Sequence, residues 1–506
     1  MSLRNAAHYA LLVAAATTTA SYAALAAGHS YFFTDDMAAL YRLGQLTWLE
    51  FALDSVNMQV VPLHRLAMRL IRAVLGPGFA PAVGVLLALH ALGVWLVYRL
   101  TQQLCAPRSS EPPPRRLLPA LLTCLYAGYP FVGVQFLWFS SGLHRFPYAA
   151  ATLFALHRWL HFRQSGSRLD VVLIAGAMLV ACGFYGKGPL VAVQVAALEL
   201  CLWRQTEPSD KARHAKVLGF LVMGGLALVG ANAMTATMRP LGYAGGAATA
   251  EFVWVALKVF VRSLFGQAVA TQPQGSADTA LFSALQLLIV LASASIGARR
   301  SNWRVWAVLA ACVLGNIAVA AVSRRGVSQG WIFNAHAHRH GFDQMPMFMA
   351  LLALALRDLH ARGAWRTPAI VATCLCALAY AAHGVHSVHA LLPTHYKPFT
   401  QKRVFYNTFQ ASLTRLRATH AHDEIVFQRE AMPARQRGFT PEYHSLEHMT
   451  LAMGEDLVYS DDGRFTIEDD GSIQVKGPDF KPQRRRKQPK PPRARPNRAP
   501  ADKRRP

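Results

Sequence analysis

The sequence predicts an all-α polytopic membrane protein of about eleven transmembrane helices, with a small α/β appendage and a disordered basic tail at its C-terminal end. Three features point there. Of 506 residues, 53% are hydrophobic and only 16% charged, with a mean hydropathy of +0.21, a charged share too low for an ordinary water-soluble enzyme. Apolar runs near the length that crosses a hydrocarbon core recur as far as residue 390. After that point, charge returns and the pattern becomes that of a small soluble unit.

Taken in order, the apolar runs are 8–27, 79–100, 117–139, 146–161, 169–185, 188–203, 217–237, 279–298, 305–322, 345–357 and 367–390. In the first, Ala24-Leu25-Ala26 has the form of a leader-peptidase site, but ten further runs follow, so this segment is expected to stay as an anchor. Residues 28–78 then form a long first loop, and 101–116, with Pro112-Pro113-Pro114, a linker. A twelfth stretch, 251–270, is punctuated by Glu251, Lys258 and Arg262, which suits an interfacial or re-entrant helix better than a span.

Orientation follows from the arginines and lysines, which cytoplasmic loops retain. With the N-terminus inside, the inner segments carry 18 basic residues and the longer outer segments the other 12 of the 30 that precede residue 391. Eleven spans then place the C-terminal region outside, with the protein in the inner (plasma) membrane.

The transmembrane unit is thus residues 1–390, and an extracytoplasmic α/β region follows over 391–480. That region has a helical stretch from about 401 to 419, strand-like Glu424-Ile425-Val426-Phe427 and Leu457-Val458-Tyr459, and β-like pieces around Phe465 and Ile473. Asp461-Asp462-Gly463 and Asp469-Asp470-Gly471 read as turns. Residues 481–506 hold twelve Lys/Arg, seven prolines and a single acid, Asp502, a composition that cannot bury a core and is drawn to anionic membrane lipid.

The seven cysteines all fall in or beside apolar stretches and suggest no disulfide framework. Walker patterns, nucleotide-sugar motifs and Gly-x-Ser-x-Gly are absent, so neither a cytoplasmic nucleotide donor nor that covalent chemistry is expected. Outer carboxylates are scarce before residue 391: Asp35, Asp36, Glu50, Asp54, Glu251, Asp278 and Asp343. Asp35 and Asp36 follow the aromatic run Tyr31-Phe32-Phe33, where Thr34 or Asp35 can cap the next helix. Two adjacent acids also raise one another's proton affinity or invite a divalent cation, so capping and catalysis stay open together.

The acidic pair after the first helix, Val61-Pro62-Leu63, Gly76-Pro77-Gly78-Phe79-Ala80-Pro81 and the helix with Leu89-His90 together resemble the C-type membrane glycosyltransferases. Within them the chain is most similar to the protein O-mannosyltransferase group and to bacterial membrane proteins of that architecture. The resemblance covers residues 28–100 and extends to Phe184-Tyr185-Gly186-Lys187. It implies a sugar delivered on a polyprenyl phosphate to an extracytoplasmic glycan, lipid or protein acceptor, with Asp36 as base and Asp35 as its helper or a metal ligand.

A leaving lipid phosphate needs fixed positive charge, which on the outer side falls to Lys187, Arg324, Arg325 and Arg339. Lys187 stands between two apolar runs, where a lysine either snorkels or pairs with an anion. His336, His338 and His340 alternate along an extended segment, as phosphate-facing, solvated or metal-binding imidazoles would; His64 is a further substrate or metal contact. His90 is expected to be a hydrogen-bonded packing residue, and His383, His386 and His389 a helix-packing face. The expected function is therefore polyprenyl-phosphate-dependent glycosyl transfer, with no nucleic-acid partner. A lipid or glycolipid transporter and a non-catalytic scaffold are the rivals.

Overall fold

The computed structural model describes residues 3–54, 60–105, 117–235, 303–323, 342–361, 367–393 and 397–420, positions 253, 254, 256 and 257, and the C-terminal positions 425–428, 450, 453, 455, 457–460, 463–468 and 470–475. The expectations for Glu251, Asp278, the stretch 279–298, Arg324, Arg325, His336, His338, Arg339, His340 and the tail 481–506 lie outside the described residues.

The first helix, α1 (Leu3–His29), buries Leu11, Ala15, Thr18, Tyr22 and Ala26, three to four apart, as a 3.6-residue turn requires of one face. Three helices occupy the long first loop: α2 (Thr34–Gln45), α3 (Trp48–Leu53) and α4 (Pro62–Leu75). A run of helices joined by short connections follows: α5 (Phe79–Leu104), α6 (Leu117–Ala127), α7 (Pro130–Leu137), α8 (Phe139–Ser165), α9 (Arg168–Phe184), α10 (Leu190–Leu202) and α11 (Pro208–Thr235). Later in the chain come α12 (Trp303–Ser323), α13 (Met345–Ala361), α14 (Thr367–Leu391) and α15 (Lys397–Thr419).

Eleven spans are not supported. Among the described residues, four helices are long and apolar enough to cross a membrane: α1, α5, Pro208–Ala231 of α11 and Val371–Leu391 of α14. The run 117–139 is no single rod, because α6 and α7 are bent by 44° and make a fifth span only when counted together. Pro130 starts α7 with no N–H to give, so the helix restarts rather than continues. The runs read at 169–185 and 188–203 became α9 and α10, of 17 and 13 residues, about 26 and 20 Å at 1.5 Å per residue and short of a hydrocarbon core of about 30 Å. The parity that placed the C-terminal region outside loses its basis with the count.

The long helices are apolar on their outward sides too. On α11, Phe220, Met223, Leu226 and Val229 form an exposed stripe, and Leu92 and Trp95 on α5 and Leu375 on α14 are likewise exposed. In water such stripes would be costly; against lipid tails they are at home. The apolar helices are therefore consistent with a membrane protein.

The 27-residue α8 separates two polar ends. At its C-terminal end Arg158 pairs with Asp170, which also takes His161 Nδ1 at 2.6 Å. Arg163 pairs with Glu199, whose carboxylate further accepts from Trp159 Nε1 at 2.9 Å, Thr206 Oγ1 at 3.1 Å and His214 Nδ1 at 3.0 Å. The N-terminal end of α8 meets the first loop: Phe33 lies edge-on to Trp138, and Phe399 of α15 packs on Phe33 at 4.6 Å. His90, in α5, is buried among Tyr126, Phe136 and Phe146. It packs as expected, but among the described residues both ring nitrogens lack the hydrogen-bond partner expected of them, the rings around it being aromatic.

Near the C-terminus the strand-like pieces form a small sheet. A four-stranded sheet runs in the order β2-β1-β3-β4, from β1 (Val426–Gln428), β2 (Val458–Ser460), β3 (Phe465–Ile467) and β4 (Ile473–Val475). The β1 strand is parallel to β2 and β3, while β3 and β4 form an antiparallel hairpin with Thr466 opposite Gln474. Phe405, Phe409 and Leu413 of α15 and Phe427, Phe465 and Ile467 of the sheet supply its buried apolar side chains.

Candidate functional site

Every first-loop carboxylate whose side chain is described has a partner; the side chain of Asp35 lies outside the described residues. Asp36 is fully buried; its Oδ2 accepts from Phe33 N–H at 2.8 Å and its Oδ1 from Ser140 N–H at 2.7 Å. Asp36 is thus the third residue of α2, capping that helix from within and holding the first turn of α8. The cap expected from Thr34 or Asp35 is supplied instead by Phe33 as the flanking residue and Asp36 as the acceptor. Glu50 caps α3 through the Thr47 N–H at 2.9 Å and its hydroxyl at 2.8 Å, which hold its pKa below the usual range. Asp54 is shared by Arg42 and by Arg65, the latter at 2.9 Å.

The last described carboxylate, Asp343, collects the chemistry. It is fully buried just before α13 and faces two cations, Arg145 Nε at 3.0 Å from Oδ1 and Lys187 Nζ at 2.6 Å from Oδ2. The Tyr185 hydroxyl donates to Oδ2 at 2.9 Å and accepts from Arg145 Nη2 at 3.1 Å. Arg145 Nη1 also donates to Ser141 Oγ at 2.8 Å, and Ser141 Oγ donates to Gln135 Oε1 at 2.7 Å. The guanidinium lies 4.9 Å from the Tyr185 ring centroid, and Tyr148 packs edge-on against that ring at 5.5 Å.

Local sequence explains this convergence. Ser141, Arg145 and Tyr148 stand four and three residues apart on α8, hence on one face. Tyr185 terminates α9 in extended conformation, and Gly188 N–H bonds back to Tyr185 O at 2.8 Å, closing the turn that presents Lys187. A Cβ at Gly188 would collide with the Cys182 backbone, so that turn can lie on the end of α9 only with glycine there. At Gly183 a Cβ would fall 2.5 Å from Leu63 Cγ; its absence lets α4 approach α9.

That approach delivers His64. Its ring stacks on His144 at 3.6 Å and 6°, and His144 Nδ1 lies 2.5 Å from Phe184 O. Burial first, then His144 and Arg65, hold His64 well below the ordinary imidazole range, so it is neutral. Among the described residues no group of three His, Cys, Asp or Glu side chains could hold a metal ion.

The arrangement therefore brings two sequence-predicted residues to adjacent positions of α8, His64 onto His144 and Lys187, through Asp343, to Arg145. Asp36 joins through Ser140, in a holding position rather than an open one. Arg145, Tyr185, Ser141, Gln135 and His144 carried no functional assignment from sequence. Arg145 borders an apolar run as one more interfacial arginine, and the acid that balances Lys187 stands 156 residues away. The chemical character is plain: two cations, a carboxylate and a phenol converge in a buried setting, a set of donors that suits an anion.

No protein-family model matches the chain, and comparison with curated proteins gives no match.

Proposed function

We propose that this chain is a membrane-embedded glycosyltransferase that receives a sugar carried on a polyprenyl phosphate at the Arg145–Asp343–Lys187 cluster. The observation that carries the reading is that buried pair of cations on a single carboxylate, at the same end of the bundle as the first loop. The phosphate oxygens would take the guanidinium fork and the ammonium, with the Tyr185 hydroxyl as a further donor. In the transfer step the acceptor hydroxyl oxygen bonds to the anomeric carbon as the bond from that carbon to the phosphate oxygen breaks. The electron pair leaves with the lipid phosphate, where the two cations stabilise it. The hydroxyl proton passes to a carboxylate. Because the oxygens of Asp36 are engaged by backbone amides, this reading moves the base to its neighbour Asp35 and leaves Asp36 to position the loop. The basic residues at the opposite end, Arg158, Arg163 and Arg213 among them, favour placing the site end outside the cytoplasm of an inner membrane.

Reconstituted protein given a labelled polyprenyl-phosphate sugar should transfer the label to a hydroxyl acceptor. Arg145→Gln and Lys187→Met should each slow turnover by about 10²-fold or more, the usual loss for one electrostatic stabiliser, and Asp35→Asn should abolish it. Normal turnover in all three would refute the assignment. One observation favours the transporter alternative: the α6–α7 span is broken at Gly128-Tyr129 before Pro130, as substrate-translocating helices often are. Vesicles that move the labelled lipid between leaflets without forming a glycosidic bond would select it.

A further inference from the structure

A second cationic cluster lies where the last turn of α4 meets α15. Tyr31, 1% exposed just after α1, stacks on Tyr406 with ring centroids 4.0 Å apart at 17°. Arg72 and Arg403 stand against this pair: both oppose the upward push that burial and Tyr406 exert on the Tyr31 hydroxyl, and both phenols in turn favour the charged form of Arg72. Arg72 Nη1 and Arg403 Nε are buried with no partner among the described residues, and the Tyr31 hydroxyl lies against that of Tyr406. A buried donor left unmade carries its full desolvation penalty, so two at one place call for an acceptor.

Among the carboxylates of the first loop whose side chains are described, none supplies one. Asp36 is held by amides, Asp54 by Arg42 and Arg65, and Glu50 by Thr47. Among the described residues neither Arg72 nor Arg403 forms an ion pair. Two guanidiniums and a phenol are the donor set that a tetrahedral oxyanion accepts from several sides. On the same helix as Arg72, Leu70 and Val74 are 57% and 70% exposed at i and i+4, an outward apolar edge of the sort that lies in a headgroup layer.

We propose that Tyr31, Arg72 and Arg403 form a phosphate-binding site that fastens α15, and with it the C-terminal sheet, to the first loop. The site is separate from the Arg145–Lys187 cluster and stands whether or not the chain transfers sugar. A lipid phosphate headgroup and a free phosphate share the required chemistry, and two probes tell them apart.

Full-length protein in detergent, carrying Lys187→Met so that the other cluster is weakened, would be titrated with inorganic phosphate and, separately, with short-chain phosphatidic acid, the bound species being counted by native mass spectrometry. One phosphate-bearing ligand should bind, and Arg72→Gln or Arg403→Gln should each weaken it at least tenfold. Tyr31→Phe, which keeps the stacked ring and removes only the hydroxyl, should weaken it severalfold while gel-filtration behaviour stays unchanged. Binding of phosphatidic acid alone would identify a lipid headgroup, and binding of both probes a general phosphate site. If neither probe binds, or if both bind equally well to Arg72→Gln, Arg403→Gln and Tyr31→Phe, the proposal is overturned.

Discussion

Replacing Asp343 by asparagine keeps the shape of the side chain but removes the one charge that Arg145 and Lys187 share. Asp343 is fully buried, Arg145 is 4% exposed and Lys187 8%, so water cannot take over the missing role. Removing one partner of a buried pair typically costs about 3–5 kcal/mol. The amide oxygen of asparagine still accepts one hydrogen bond, which puts the expected loss near the lower figure, about 3 kcal/mol. Because much of that loss is the penalty of a stranded ammonium, adding Lys187→Met should return part of it. In a double-mutant cycle read by detergent-denaturation titration of the reconstituted protein, Asp343→Asn and Lys187→Met should couple by about 1–3 kcal/mol. Strict additivity of the two changes, or a loss below about 0.5 kcal/mol for Asp343→Asn alone, would refute the claim that this carboxylate holds the cluster together.

Three further outcomes follow from other contacts. His64 is kept neutral by burial, so below about pH 6.5 the unfolded chain binds a proton that the folded chain refuses. Stability should fall as pH drops through that value and stay flat above it, and His64→Gln should remove that part of the slope in melting curves recorded from pH 5 to 8. Burial pushes Lys402 on α15 down to about 8, so at pH 8 it should be acylated by an amine-directed reagent well ahead of the exposed lysines, as peptide mapping would show. Its folded form rejects the proton between about pH 8 and 10.5, so it should make stability rise with pH across that window, and Lys402→Met should flatten the rise. Gly188→Ala places a methyl against the Cys182 backbone, a clash that should cost about 1–3 kcal/mol and displace Lys187 from Asp343. A variant that melts like the parent would show that the turn has room.

Much of this protein is legible from local pattern. The runs at 8–27, 79–100, 217–237 and 367–390 became α1, α5, α11 and α14, because about 20 apolar residues carry their own instruction to cross a hydrocarbon layer. The strands at Val426, Val458, Phe465 and Ile473 and the helix ending at Thr419 were equally visible, since alternation and turn residues act over only a few positions. Lys187 stood out for a similar reason: an ammonium between two apolar runs must snorkel or be compensated somewhere.

Where that compensation comes from is not a local matter. Asp343 was one of a few scarce outer acids, but its pairing with Lys187 and Arg145 depends on α8, the α9 turn and the segment before α13 arriving at one point. The assignment of Asp36 as an open base likewise met a tertiary fact, the Ser140 amide that occupies one of its oxygens. The count of eleven spans failed because hydropathy averages composition and is blind to where a helix bends or stops, as α6–α7, α9 and α10 do. By itself the sequence determined which segments are helical and apolar, that a small sheet follows them, and that Lys187 must snorkel or find a counter-charge, all of them consequences of backbone periodicity and solvation free energy acting over a few turns. Only the tertiary structure decided which acid meets which base, which carboxylate is consumed in capping and which buried donors wait for an anion, because Coulomb and hydrogen-bond energies depend on distances of a few ångströms between residues as far apart in the chain as Arg145 and Asp343.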